Sequence, residues 1–244
     1  MRYAVISDIH SNLEALTAFF ELADRLKLDE IVCLGDIVGY GANPNECIEL
    51  IRKRNIRSCM GNHDSRAAGL DEPQDFNLHA AQAIYWTRGA LTNEGRAYLK
   101  GLPRMLSIDN RFLAVHGWIN NIDAYILSIE DARKNFELLS KAGESNICFF
   151  GHTHLPAAYV SSDGAVQSVK EETIKIKKGA SYLINPGGLG QPRDRDPRPS
   201  FVVYDTKKLE LTFHRLEYDI AAAAEKIVKA GLPQRLAERL KLGW

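Results

Sequence analysis

Apolar residues along this chain follow two spacings. Short unbroken runs, Tyr3 to Ser7, Ile31 to Leu34, Ile56 to Met60 and Asn146 to Phe150, have the length of buried strands. Elsewhere apolar positions recur at helical spacing. Leu13, Leu16, Phe19 or Phe20, Ala23 and Leu26 predict a helix over 12–27, with Ser11 or Asn12 as its cap. Pro44 opens a second helix through Arg54, with proline at a favoured first-turn position. Strand, helix, strand, helix, strand predicts a parallel α/β unit with right-handed crossovers. A helical stretch follows from Phe76 to Gly101, then a hairpin of Met105–Ile108 with Arg111–His116, turning at Asp109-Asn110. A further helix covers Glu130–Lys141. From Ala157 to Leu216 the chain is strand-rich, with turns at Asp163-Gly164 and Asn185-Pro186-Gly187-Gly188, and Lys170–Lys178 reads as an exposed strand pair. Ile220 to Leu242 predicts one or two amphipathic helices. With no repeat and no low-complexity linker, a single domain spanning 1–244 is expected.

Composition narrows the function classes. Apolar residues are 45% and charged residues 25%, ordinary for a globular protein. Lys plus Arg equals Asp plus Glu at 31 each, so an overall electrostatic grip on nucleic acid or anionic lipid is not expected. Cys33, Cys47, Cys59 and Cys148 lack metal-type spacing; Cys33 and Cys148 sit in apolar runs and read as core, a usage that fits a reducing cytoplasm. No apolar run approaches the ~18 residues of a membrane span, and the first residues do not form a signal peptide. A cytoplasmic protein is expected.

Polar, metal-type residues follow the apolar strands at once: Asp8-x-His10, Asp36, Asn62-His63-Asp64, His116 and His152-x-His154. Five of the seven histidines fall in these positions. Loops beyond the carboxyl ends of parallel strands gather on one edge, so these groups should converge. On an extended backbone, residues two apart share a side, which lets Asp8 with His10, and His152 with His154, present paired ligands. Nitrogen and oxygen donors without thiolate point to Mn, with Fe or Zn as alternatives. Taken singly, each residue has a plain structural use: a capping Asp8, turn residues at Asp36, Asn62 and Asp64, surface histidines. Their joint order at strand ends favours a metal site.

The set Asp8-Ile9-His10, Gly35-Asp36, Gly61-Asn62-His63-Asp64, His116 and Gly151-His152-Thr153-His154 resembles the calcineurin-like metallophosphoesterase superfamily, whose motifs run D-x-H, G-D, G-N-H-D/E, H and G-H-x-H. The remainder looks like its bacterial single-domain branch, described as phosphodiesterase-like or related to diadenosine tetraphosphate hydrolases. The resemblance implies an α/β fold, a four-layer β-sandwich flanked by α-helices. It implies two divalent metal ions, one on Asp8, His10 and His154, the other on Asn62, His116 and His152, with Asp36 bridging. His63 would protonate the leaving oxygen, oriented by Asp64. One departure is Trp118-Ile119 after His116-Gly117, where the branch has Ser-Pro; it bears on the substrate pocket and leaves the ligand set intact.

The chemistry stands without the family. Two cations about 4 Å apart acidify a bridging water and neutralise phosphoryl oxygens. The expected activity is hydrolysis of phosphodiester or phosphoanhydride bonds in a small phosphorylated substrate, a nucleotide among the candidates. A dinucleoside polyphosphate hydrolase and a protein phosphatase are alternatives within that class. A catalytically silent metal-binding interaction module and a nuclease are rivals from outside it, the nuclease disfavoured by the charge balance. Arg193, in the Gly/Pro-rich loop 187–199, could grip a phosphate, or be a solvated charge beside Asp194 and Asp196. Asn12 and Tyr40 are further substrate-contact candidates, with capping and packing as their plain alternatives. His79 and His214 have no partner motif. Trp86, Phe112 and Phe149 read as core. Oligomeric state is not legible.

Overall fold

Three strands, β1 (Arg2–Ile6), β2 (Glu30–Cys33) and β3 (Arg57–Ser58), run parallel, joined by α1 (Leu13–Ala23) and α2 (Pro44–Lys53), as the alternating apolar runs predict. A computed structural model of the chain describes residues 1–143 and 145–244. The first sheet continues antiparallel from β1 through β11 (Ser200–Asp205) and β12 (Glu210–Arg215) to β9 (Thr173–Lys175). The second has the spatial order β4 (Met105–Ile108), β5 (Phe112–Val115), β6 (Ile147–Phe149), β10 (Ser181–Asn185), β7 (Ala157–Ser162) and β8 (Ala165–Val169), parallel at its centre.

The period of two along β1 sends Tyr3 and Val5 into the layer between the sheets, where they meet Phe112, Phe149 and Tyr182. Ala4 and Ile6 point outward, under Leu16 and Phe19 of α1 and Ile48 and Ile51 of α2. α3 (Asn62–Ala68) and α5 (Asn93–Lys100) complete that cover. On the far face of the second sheet, α6 (Ile129–Ala142) lays Ala132, Phe136 and Leu139 on Leu113, Val115 and Cys148. The layers are therefore helix, sheet, sheet, helix, a mixed α/β sandwich. Each fully buried Leu or Phe in these seams contributes roughly 1.5–3 kcal/mol relative to exposure. A third cluster joins α4 (Leu78–Ala90), α7 (Ile220–Lys229) and α8 (Gln234–Leu242) beside α1.

Four expectations change. The helix over 76–101 is two, because Leu91 turns extended (ψ 131) and Thr92 caps α5 by accepting from Gly95 N at 3.0 Å. The helix over 12–27 ends at Ala23. Lys170–Lys178 is no strand pair: β9 pairs with β12 in the first sheet while β8 stays in the second. Trp86 is only partly buried, unlike Phe112 and Phe149. The Asp109-Asn110 hairpin forms as expected, both residues at positive φ (51 and 53). All four cysteines are buried and free. Among the described residues no helix is long and apolar enough to cross a membrane.

Candidate metal centre

Loops following β1, β2, β3, β5 and β6 meet at one edge of the sandwich. Backbone bonds hold them: Asp8 N donates to Gly35 O (3.1 Å), His10 N to Asp36 O (2.9 Å) and Gly151 N to His116 O (2.7 Å). His152 N donates to Asp8 Oδ2 at 3.1 Å, tying the second sheet to the first. Asp8, His10, Asp36, Asn62, His63, Asp64, His116, His152 and His154 thus converge, none more than 5% exposed.

The pairs do not converge by extended alternation. Asp8 (φ 56), His10 (φ 48), Asp36 (φ 53), His152 (φ 68) and His154 (φ 59) are all left-handed, a region non-glycine residues rarely occupy. Such turns bend the chain sharply off each strand end, and the strain is held by the backbone bonds above. Gly61 has a different reason to be there: a Cβ would collide with the Asp36 carboxylate.

Three adjoining groups have metal-binding composition and close donor atoms: Asp8, His10 and His154; His10, Asp36 and His63; Asp36, His116 and His152. Asp36 Oδ2 lies 3.3 Å from His116 Nε2 and 3.5 Å from His10 Nε2. Asp8 Oδ1 is 3.3 Å from His154 Nε2, and Asn62 Oδ1 is 3.1 Å from His116 Nε2. Asp8 Oδ1 and Asp36 Oδ2 are buried with no hydrogen-bond partner among the described residues, which is costly unless a cation compensates them. The donor set and these orphaned oxygens fit divalent metal. Backbone carbonyls orient the rings. His10 Nδ1 donates to Val38 O (3.1 Å), His116 Nδ1 to Leu34 O (3.0 Å), His154 Nδ1 to Gln191 O (2.5 Å) and His152 Nε2 to Asp123 O (3.1 Å). In a neutral ring the opposite nitrogen then carries the lone pair.

Burial sets the protonation. It pushes Asp8 up to about 6 and Asp64, with Asp36 adding, up to about 7. It brings His10 and His152 down to about 3, and His63 and His154 well below the usual imidazole range. Two groups resist it. Asp36 stays well below the carboxylate range because His116, His63 and His10 face it. His116 rises to about 9 because Asp36 and Asp8 outweigh its burial.

Among the described residues no hydrogen bond joins Asp64 to His63 Nδ1. The Asp64 oxygens accept from Val38 N (3.1 Å) and Gly61 N (3.0 Å), fixing the first turn of α3. The His63 ring is held between Tyr40 (4.4 Å between centroids) and Phe76 (4.7 Å). Asn12 has both polar ends in backbone bonds: Oδ1 accepts from Ala15 N (3.1 Å), and Nδ2 donates to Gly190 O (2.8 Å). Tyr40 is buried against His10, with Arg193 Nη2 3.4 Å from its hydroxyl. His79 is on α4 and in none of the three donor groups, and His214 stacks on Phe201. Sequence reasoning missed Phe76, Asp123, Tyr125 and Gln191. Tyr125, half exposed, stacks on His152 at 4.0 Å, and Asp123 is ion-paired with Arg66 at 2.9 Å. Asp123 and Gln191 act through backbone carbonyls, which leave no residue-type signal.

A double-sheet sandwich with this cluster at its loop edge is the metallophosphoesterase fold. Residues 1–209 match the family model described as the calcineurin-like phosphoesterase superfamily domain. Over 243 residues the chain is 40% identical to an uncharacterised protein of Methanocaldococcus jannaschii, covering 98% of this chain and 97% of that one. It is similar to the crystal structure of a metallophosphoesterase from Sphaerobacter thermophilus (40% identity, TM-score 0.85, 100% of this chain and 99% of that one). A protein from Pyrococcus horikoshii shares the fold (24% identity, TM-score 0.82, 100% and 98% covered). The chain belongs to the calcineurin-like phosphoesterase superfamily, a membership that supports a hydrolase role.

Proposed function

We propose that this chain is a metal-dependent phosphoesterase that hydrolyses phosphodiester or phosphoanhydride bonds in a small phosphorylated substrate. The observation that carries the reading is Asp36, whose unpartnered buried oxygen faces His116 on one side and His10 on the other. Asp8, His10 and His154 would hold one divalent cation and Asn62, His116 and His152 a second, with Asp36 shared. When bound, the cations supply a water activated at neutral pH and neutralise phosphoryl charge, and this donor set suits Mn, then Fe or Zn.

The chain's own groups do the rest. Carbonyls of Val38, Leu34, Gln191 and Asp123 fix which nitrogen each histidine offers. His63 protonates the leaving oxygen. Burial keeps its ring neutral until an anionic phosphate arrives, and that charge raises its affinity for a proton. Asp64 is a positioning residue, locking Gly61 and Val38 around the turn that aims His63. Tyr40 and Arg193 line the approach beside His10. Asn12 serves as the cap of α1.

Metal-depleted protein reloaded with Mn²⁺ and assayed on bis-p-nitrophenyl phosphate tests the reading. Metal-dependent turnover is expected. Stoichiometric metal with no turnover on any phosphate ester would leave a silent metal-binding module instead.

A further inference from the structure

Helices α7 and α8 lie beyond residues 1–209, the part matched by the family model. Together with the start of α4 and the loop 187–199, α8 and Trp244 wall an open groove of about 680 Å³. Arg193 and Arg195 enter it from the loop, Arg235 and Arg239 from α8, with His79 and Trp244 beside them. Among the described residues no acidic side chain lines the groove. The neighbouring acids are used elsewhere: Asp194 pairs with Arg215, and Asp196 with Arg198 at 2.7 Å. None of the four groove arginines has a carboxylate side chain as ion-pair partner among the described residues. Arg193 Nη2 reaches only Gln191 Oε1 (3.2 Å) and the Tyr40 hydroxyl (3.4 Å). Arg239 Nε donates to the backbone oxygen of Trp244 (2.6 Å), and Arg195 lies 5.9 Å over the Trp244 ring. Two buried nitrogens on residues that line the groove, Arg193 Nε and His79 Nδ1, have no hydrogen-bond partner among the described residues.

Clustered guanidinium groups repel one another unless an anion joins them. Burial and Arg193 bring Arg239 down to about 10. The groove adjoins the candidate metal centre through Tyr40, whose hydroxyl meets Arg193 and whose ring lies 4.6 Å from His10 and 4.4 Å from His63. Guanidinium forks match phosphate oxygens in geometry and charge.

We propose that this groove is a subsite for a second phosphoryl group, so that the substrate carries two: one at the metal centre, the other at Arg193, Arg195 and Arg235. The first placement rests on the phosphoesterase reading; the second rests on the arginines alone. The second phosphoryl group is either joined through a phosphoanhydride, as in a nucleoside polyphosphate, or spaced by a sugar, as in a short 5′-phosphorylated oligonucleotide.

Calorimetric titration of metal-free protein with inorganic tripolyphosphate and with monophosphate isolates the arginines. Tripolyphosphate binds more tightly, and Arg195→Gln with Arg235→Gln, both exposed positions, weakens it by about ten-fold or more. Mn²⁺-loaded protein is then compared on bis-p-nitrophenyl phosphate, a nucleoside triphosphate and a 5′-phosphorylated dinucleotide. A kcat/KM preference for either two-phosphoryl substrate that shrinks in the double variant upholds the subsite, and the preferred one identifies the linkage. Equal tripolyphosphate binding by wild type and variant overturns it, as does a preference the variant leaves intact. Arginine-dependent binding with no turnover in any arm refutes the phosphoesterase reading and keeps the subsite.

Discussion

Asp36 is the residue on which two cation sites would depend, and the dependence is measurable as heat stability. Its Oδ2 stands 3.3 Å from His116 and 3.5 Å from His10, so Asp36→Asn removes a carboxylate common to two of the donor groups. Asn62→Ala touches only the His116 side. At free metal about 100-fold above each Kd, each site stabilises by about 2.7 kcal/mol, about 5 kcal/mol for two. A chain of 244 residues unfolds with about 0.5 kcal/mol/K of entropy, so loading raises Tm by about 10 °C. If losing a ligand weakens a site about 100-fold, that site keeps only about 0.4 kcal/mol. Asp36→Asn should then gain less than about 2 °C on loading, and Asn62→Ala about 6 °C. Scanning calorimetry of each variant with and without Mn²⁺ cancels any change in its metal-free baseline, and elemental analysis counts the ions. If Asp36→Asn and Asn62→Ala gain equally, Asp36 serves one site and the shared-carboxylate geometry is wrong.

His63→Ala should keep its metal content yet lose about 10²–10⁴-fold in turnover of alkyl esters, with a smaller loss on p-nitrophenyl esters, whose leaving group needs no proton; equal losses on both would remove the acid role. Gly61→Ala forces a methyl group onto the Asp36 carboxylate, and should lower stability by about 1–3 kcal/mol and metal content with it; unchanged metal content would show that the loop yields freely. In the metal-free protein His116 is raised from 6.5 to about 9, so its stabilising proton is held below pH 6.5 and lost as pH climbs through about 9. Urea midpoints should therefore fall across that window, and His116→Gln should flatten the fall. Asn12→Ala should cost about 1 kcal/mol through the lost cap and leave KM unchanged; a raised KM would return Asn12 to the substrate.

What was legible in the chain was whatever repeats a local rule. The parallel β1-α1-β2-α2-β3 order follows from short apolar runs alternating with helical spacing, and the hairpin at Asp109-Asn110 follows from turn chemistry. The convergence of Asp8, Asp36, Asn62, His116 and His152 follows from strand ends facing one way. Long-range pairing was not legible. Nothing in Thr173–Lys175 says that it leaves the sheet of β8 to join β12, because an exposed edge strand has the same pattern in either sheet. α3 went unseen because its polar sequence, Asn62 to Ala68, has no apolar stripe; Gly61 and Asp64 start it.

The left-handed backbone at the site links these two kinds of legibility. Extended alternation is the expected reason for the two-residue spacing of Asp8 and His10, but both residues sit at positive φ, as do His152 and His154. Isolated strand ends would not hold that conformation, since each such residue costs about 1–3 kcal/mol. It persists because the loops brace one another: His10 on Asp36, Asp8 on Gly35, His152 on Asp8. The same bonds that force the strained turns also bury Asp8 Oδ1 and Asp36 Oδ2 without partners. In the metal-free state the His116 proton faces Asp36 and offsets part of these burdens. On the proposed reading, divalent cations held by those oxygens and the histidine nitrogens would offset both, and metal binding and the folding of this edge should then be thermodynamically coupled. Amide hydrogen exchange at residues 8–11 and 151–154 should slow on Mn²⁺ addition in wild type and remain unchanged in Asp36→Asn. Equal protection with and without metal would show that the protein braces its strained edge unaided.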